Sequence, residues 1–234
     1  MKTKKILSFV VSLSLLPILG CGGSTTNTGK KDSEEKKAET VQTNAKSDKL
    51  DKSDAVHIKI TMTSGDEIEA DLYPHIAPKS VDNFVNLIEK KFFDGLIFHR
   101  VIEGFMIQGG GYDESFYEGN FNSKETDTVK GEFESNGFTN NLKHTRGVLS
   151  MARTNDPNSA SSQFFIMHQD SPHLDGEYAA FGEVTKGIEV VDKIASAKTV
   201  SVDGTVTYMG NQFDQQMDDV PKEPVVIKTI EIIE

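Results

Sequence analysis

At 234 residues, 36% hydrophobic and 26% charged, the chain can bury the core of one mid-sized domain and still carry a tail, which excludes a fibre and a wholly disordered chain. Its formal net charge of -11 excludes DNA or RNA as the main partner, because a polyanion is held by clustered Lys and Arg that release counterions. Cys21 is the single cysteine, so no intrachain disulfide can form.

In chain order, the first feature is a targeting segment. Lys2, Lys4 and Lys5 form a positive n-region, and Ile6 to Leu19 is apolar apart from Ser8, Ser12, Ser14 and Pro17, too short for a comfortable membrane span. A signal peptide is read over 1–20. It ends in Ile18-Leu19-Gly20-Cys21, which resembles the lipobox of bacterial lipoproteins. That resemblance implies lipidation of Cys21 and anchoring to a membrane of the bacterial cell envelope on its extracytoplasmic side; Gly22 allows an outer-membrane address. Residues 21–54 carry almost no apolar side chain and cannot offset the entropy of ordering, so they read as a flexible, disordered tether. The run from Lys30 to Lys37 mixes signs and reads as a solvated spacer.

Residues 55–234 read as the folded domain. Val56, Ile58, Ile60 and Met62 alternate with polar residues, and after Ser64-Gly65-Asp66 the alternation resumes at Ile68, Ala70 and Leu72, which predicts a hairpin. Pro78 then precedes Val81, Phe84, Val85 and Ile88 at i, i+3, i+4 and i+7, one face of a helix; Ile188, Val191, Ile194 and Ala195 form a second such face. Between and after them lie apolar runs separated by Gly-rich turns: 97–102, 105–108, 148–152, 164–167, 178–181 and 225–233. The class is mainly β, antiparallel, with two α-helices; closing the strands into a barrel would remove exposed edges and let the helices plug its ends. The polar stretches 112–141 and 198–223 read as long loops, and no internal repeat is found.

The most informative block is Phe98-His99-Arg100-Val101-Ile102-Glu103-Gly104-Phe105-Met106-Ile107-Gln108-Gly109-Gly110, an apolar strand, a Gly turn and a second strand with one Arg in a greasy setting. Alternation puts Met106 and Gln108 on one face and Arg100 opposite His99 and Val101. This block resembles the cyclophilin signature. Further blocks are similar in the same order: Leu142-Lys143-His144-Thr145, Gly147 to Thr154, Ser162-Gln163-Phe164-Phe165-Ile166, His173-Leu174-Asp175-Gly176 and Phe181-Gly182-Glu183-Val184. Several blocks in order are far more specific than one. The resemblance covers Ala55 to the C-terminus. It implies an eight-stranded closed antiparallel β-barrel capped by two α-helices, and peptidyl-prolyl cis-trans isomerase activity. By the same resemblance Arg100 is catalytic, and Phe105, Met106, Gln108, Ala152, Arg153, Thr154, Gln163, Phe165, His173, Leu174 and Tyr178 bind the substrate.

That chemistry needs no metal or cofactor, only an apolar socket for the proline ring and donors that favour a twisted amide. The six histidines show no metal-site spacing, and no Gly-x-Ser-x-Gly elbow marks a hydrolase. His173 stands where many members carry tryptophan, Tyr178 where histidine is frequent, and Arg153-Thr154 where others have Asn-Ala; these departures bear on ligand preference. Proline-containing polypeptides are the implied partners, and cyclosporin-like ligands would bind weakly because His173 offers less apolar area than an indole. A non-catalytic proline-peptide chaperone or surface adhesion module is the competing reading. Arg100 argues against it, since a mere binder needs the socket more than the donor.

Overall fold

The computed structural model describes residues 54–124 and 126–234. The signal peptide read over 1–20, the lipidation site Cys21 and the tether up to residue 53 lie outside the described residues.

The predicted hairpin is β1 (Val56–Met62) and β2 (Glu67–Leu72), paired antiparallel, with Ile58, Ile60, Met62, Ile68, Ala70 and Leu72 all turned into the core. Helix α1 (Pro78–Glu89) starts on its proline and buries Ser80, Val81, Phe84, Leu87 and Ile88; α2 (Ile188–Ala195) buries Val190, Val191, Ile194 and Ala195. Six more strands complete the main sheet: β3 (Phe98–Ile102), β4 (Met106–Gly109), β5 (Val148–Met151), β6 (Phe164–Met167), β7 (Ala180–Lys186) and β10 (Ile227–Ile232), in the order β10-β1-β2-β7-β5-β6-β4-β3. The sheet is eight-stranded, antiparallel and curled until its edges meet: Ile97 bridges Val226, and the Phe98 N–H donates to the Val225 carbonyl at 2.9 Å. Inside, the Phe84 ring packs on Phe93, Phe164 and Phe181 with centroids 4.8, 5.1 and 5.2 Å away. Burial of these apolar faces is the main favourable term holding barrel and helices together.

Two expectations are corrected. Residues 198–223 are not a loop but a second, two-stranded sheet, β8 (Thr199–Tyr208) with β9 (Asn211–Pro221), turning at Met209 and Gly210, both with positive φ of 48° and 75° as a tight hairpin turn requires. Val200, Val202, Val206 and Tyr208 do carry a period of two, but most of the hairpin is at least partly solvated, so its acidic side chains and Gly204 dilute the apolar signal. Among the described residues, 112–141 hold short 3₁₀ turns and isolated bridges at Asn120 and Val129, and Phe116, Phe121 and Phe133 are buried, so the segment is fastened at three points. Phe116 and Phe121 join Ile97, Tyr112, Val220 and Val226 in a small second core that seats the foot of the hairpin. The strand read over 105–108 begins at Met106, because Gly104 turns with φ 78° and leaves Phe105 in the turn.

The same segment also supplies a helix cap. Ala77 at the N-cap of α1 has no hydrogen-bonding side chain to offer, and Glu132, 1% exposed and 52 residues beyond Ser80, takes its place: it accepts from the Lys79 N–H at 2.9 Å, and from the Ser80 N–H and hydroxyl, both at 2.8 Å.

Candidate functional site

The register of the curled sheet decides which side chains share a face. Arg100 on β3 pairs with Gln108 on β4, Gln108 with Phe165 on β6, and Phe165 with Ser150 on β5, so these four form one row across four strands. Directly opposite residues point the same way, and the adjacent row of Val101, Ile107, Ile166 and Leu149 lies in the core. The Arg100 row therefore faces outward. Between Phe98 and Arg100 the pairing slips, which lets Phe98 point in and Arg100 point out with His99 between them.

Arg100 is three-quarters buried, with 24% of its side chain exposed. Its Nη1 has no hydrogen-bond partner among the described residues, and Nε lies 3.7 Å from Asp219 Oδ2. Burial lowers the guanidinium from its ordinary range, while Asp219 and Tyr178 act in the opposite sense. An Arg held this way offers a desolvated donor that is already positioned. Gln108 donates from Nε2 to Gln163 Oε1 at 3.0 Å, and a second side-chain hydrogen bond joins Gln163 to Tyr112. Both amides are thus fixed. Gly111 is what admits Gln163: a Cβ there would come 2.6 Å from Gln163 Cγ.

Phe165, 1% exposed, is the centre of an aromatic cluster in this row: its ring stacks on His144 at 6.1 Å and meets the edge of Tyr178 at 5.9 Å. Met106 and Leu174 are buried, and Phe105 stacks on the exposed His173 with centroids 5.9 Å apart. Arg153 is used internally. Its guanidinium lies 4.6 Å over the Tyr178 ring and 5.1 Å over Phe133, and donates to the carbonyls of Glu177 and Thr154. Thr154 is tied to Ser159, and Ala152 donates its N–H to the Gln163 carbonyl at 2.9 Å. These three therefore shape one wall through backbone and ring contacts. A separate cavity of about 480 Å³, lined by Met62, Asp66, Lys193, Ile194, Pro224 and Val226 among others, contains none of these residues.

The structure supplies one arrangement that motif reading did not find: Ser150 Oγ lies 3.0 Å from His144 Nε2, and His144 Nδ1 lies 3.1 Å from Asp175 Oδ1. The order is that of a hydrolytic triad, but Ser150 is 0% exposed, so no substrate carbonyl can reach it. Burial lowers the His144 pKa despite Asp175, and a neutral ring donating from Nδ1 leaves Nε2 to accept the Ser150 proton. Burial alone would raise the Asp175 carboxyl; bonds from the His144 N–H and ring, with Lys143, outweigh it and hold the group below its ordinary range. The chain fixes the ring on which Phe165 stacks and the turn that bears Leu174.

His99 is buried at 4% exposure, edge-on to Tyr112 at 4.7 Å, and its Nδ1 has no partner among the described residues. Burial, with Arg100 next to it, lowers its pKa to about 3. In the unfolded chain His99 takes a proton below about pH 6.5, while in the fold it stays neutral. The unfolded state then binds more protons, so His99 removes up to about 1.4 kcal/mol of stability per pH unit as pH falls from 6.5. Urea unfolding at pH 7, 6 and 5 is expected to show a shallower loss for His99→Phe than for the wild type; parallel losses would assign the acid sensitivity to other groups.

Residues 57–232 match the family model described as cyclophilin type peptidyl-prolyl cis-trans isomerase/CLD. A peptidyl-prolyl cis-trans isomerase of Acinetobacter baylyi is 44% identical over 170 residues, spanning 70% of this chain and 79% of the relative. Peptidyl-prolyl cis-trans isomerase B of Escherichia coli K12 is 39% identical over 166 residues, 68% of this chain and 88% of the relative. A solved cyclophilin type isomerase of Cryptosporidium parvum, in the presence of the dipeptide Ala-Pro, superimposes with a TM-score of 0.58 at 28% identity, covering 76% of this chain and 99% of that one.

Proposed function

The chain belongs to the cyclophilin-type peptidyl-prolyl cis-trans isomerases, and from that premise we propose that it turns over X-Pro bonds of proteins outside the cytoplasm, assisting their folding while lipid on Cys21 holds it to the bacterial envelope. Rotation about the X-Pro bond must break amide resonance, a barrier of ~18 to 20 kcal/mol that makes the unaided step take tens to hundreds of seconds. In the twisted state the amide nitrogen is pyramidal and more basic. The observation that carries the mechanism is the row Arg100, Gln108, Phe165: a ring for the proline, an amide for the peptide backbone, and beyond it a charged guanidinium that is held by burial on one side and keeps about a quarter of its side chain exposed. Gripping cis and trans rings alike leaves the barrier where it is, whereas the Arg100 donor bonds best to the twisted nitrogen or its neighbouring carbonyl. Each ~1.4 kcal/mol of that preference is tenfold in rate. A holdase reading gives the Arg100 donor no task. Turnover of a proline tetrapeptide by the whole chain tests the point, and peptide binding without turnover would favour the holdase.

His173, exposed beside Phe105, supports weak binding of cyclosporin-like ligands. The tether is tested separately. Two acyl chains give stable anchoring where one is marginal, so wild-type protein is expected in the membrane fraction and Cys21→Ser in the soluble one. A Cys21→Ser protein that stays membrane-bound after signal cleavage would place the anchor elsewhere.

A further inference from the structure

The hairpin β8–β9 lies outside the barrel, yet the end of β9 runs beside β3, the strand that carries Arg100. Its foot is fixed. Val220 is fully buried, the Tyr117 hydroxyl donates to the Pro221 carbonyl at 2.8 Å, and Thr205 exchanges backbone bonds with Gly119 and Phe121 at 2.8 and 2.9 Å. Just before that anchored foot the pairing slips between Val200 and Val202, and Asp219 takes a left-handed backbone with φ 60°, which few non-glycine residues adopt. Two acids meet at this bulge and are sorted by it. Asp218 turns to the Ser201 hydroxyl at 2.6 Å, and Asp219 is left facing Arg100 Nε at 3.7 Å with 42% of its side chain exposed.

Asp219 thus lies beyond the edge strand at the open end of the outward row, giving Phe165, Gln108, Arg100, Asp219 from socket to rim. Asp219 Oδ2 lies 3.7 Å from Arg100 Nε, so a peptide with its proline on Phe165 and its neighbouring amide at Arg100 brings a flanking side chain within reach of Asp219. We propose that Asp219 is a specificity-determining residue, which favours a basic side chain next to the substrate proline and disfavours an acidic one. Arg100 neutralises part of this charge from the inner side, but the exposed oxygen edge remains open to solvent and to substrate. The inference rests on the isomerase reading of the groove.

The test uses the whole chain and two series of tetrapeptides with Lys, Ala or Glu immediately before the proline in one and immediately after it in the other. For the wild type, kcat/KM is expected to be about five- to tenfold higher for Lys than for Glu in at least one series, and the ratio should collapse toward one in ~1 M salt, where the screening length is about 3 Å. Asp219→Asn should bring the same ratio close to one, and Asp219→Lys should invert it. Taking the ratio cancels any general effect of these changes on Arg100. A Lys-to-Glu ratio that is the same in wild type and Asp219→Asn in both series would overturn the proposal. Calorimetric titration of the same peptides reads the preference as affinity, so a wild type that turns over no peptide counts against the isomerase reading while the affinity ratio still decides Asp219.

Discussion

Replacing Arg100 by Ala is expected to cut proline turnover by about a hundred- to a thousandfold, the loss typical of one placed donor to a developing charge, while the fold and most of the peptide affinity survive. The environment of the side chain explains both halves. Nη1 is buried with no partner among the described residues, so removing it leaves no internal acceptor stranded, and Asp219 is 42% exposed and can return to water. The socket around Phe165 and Leu174 is untouched. Arg100→Lys should recover only a fraction of the rate, because a point ammonium reaches neither the nitrogen nor the carbonyl with a planar fork. Phe165→Ala should behave differently. Its ring is 1% exposed and packed between His144 and Tyr178, so peptide binding and stability should both fall. Paired turnover and peptide titration on each variant, with circular dichroism, check the split. A folded Arg100→Ala protein with near-normal turnover would sink the mechanism.

Glu132→Ala is expected to destabilise the domain by about 3 kcal/mol or more. The change strands the buried Ser80 N–H and hydroxyl, each costing about 1 to 3 kcal/mol when left unsatisfied, and the half-buried Lys79 N–H, to which water can return in part. It also removes a negative charge from the positive end of α1. For a domain of this size such a loss lowers the melting temperature by about 6 to 12 °C. Glu132→Gln keeps the shape and one good acceptor, and should fall between Ala and wild type. Thermal and urea unfolding of both variants provide the check, and a loss below about 1 kcal/mol for Glu132→Ala would show that the cap is replaceable.

How far the sequence reached depends on how local each cause was. Alternation over 56–72 and the faces of Val81, Phe84 and Ile88 and of Val191, Ile194 and Ala195 come from neighbours a few residues apart, and the hairpin and both helices are where they were read. The motif blocks placed Arg100, Gln108 and Phe165 correctly as members of strands or strand ends. Periodicity could not say that these three line up, because register between β3, β4 and β6 is set by pairing of residues as far apart as Met106 and Met167. Glu132 was illegible for the same reason: in a loop sequence a carboxylate signals solvent, and only the docked loop turns it into a helix cap. The hairpin β8–β9 was dimmed by solvation of its faces.

By itself, then, the sequence determined the mainly antiparallel class, the two helices and the family likeness, since these follow from patterns within single segments. The tertiary structure decided that Arg100 keeps an unpaired buried donor, that Ser150 is hidden although His144 and Asp175 stand behind it, and that Asp219 reaches the rim. Each of those depends on burial or on the meeting of segments far apart in the chain, and burial is a property of the closed sheet, which no single segment possesses.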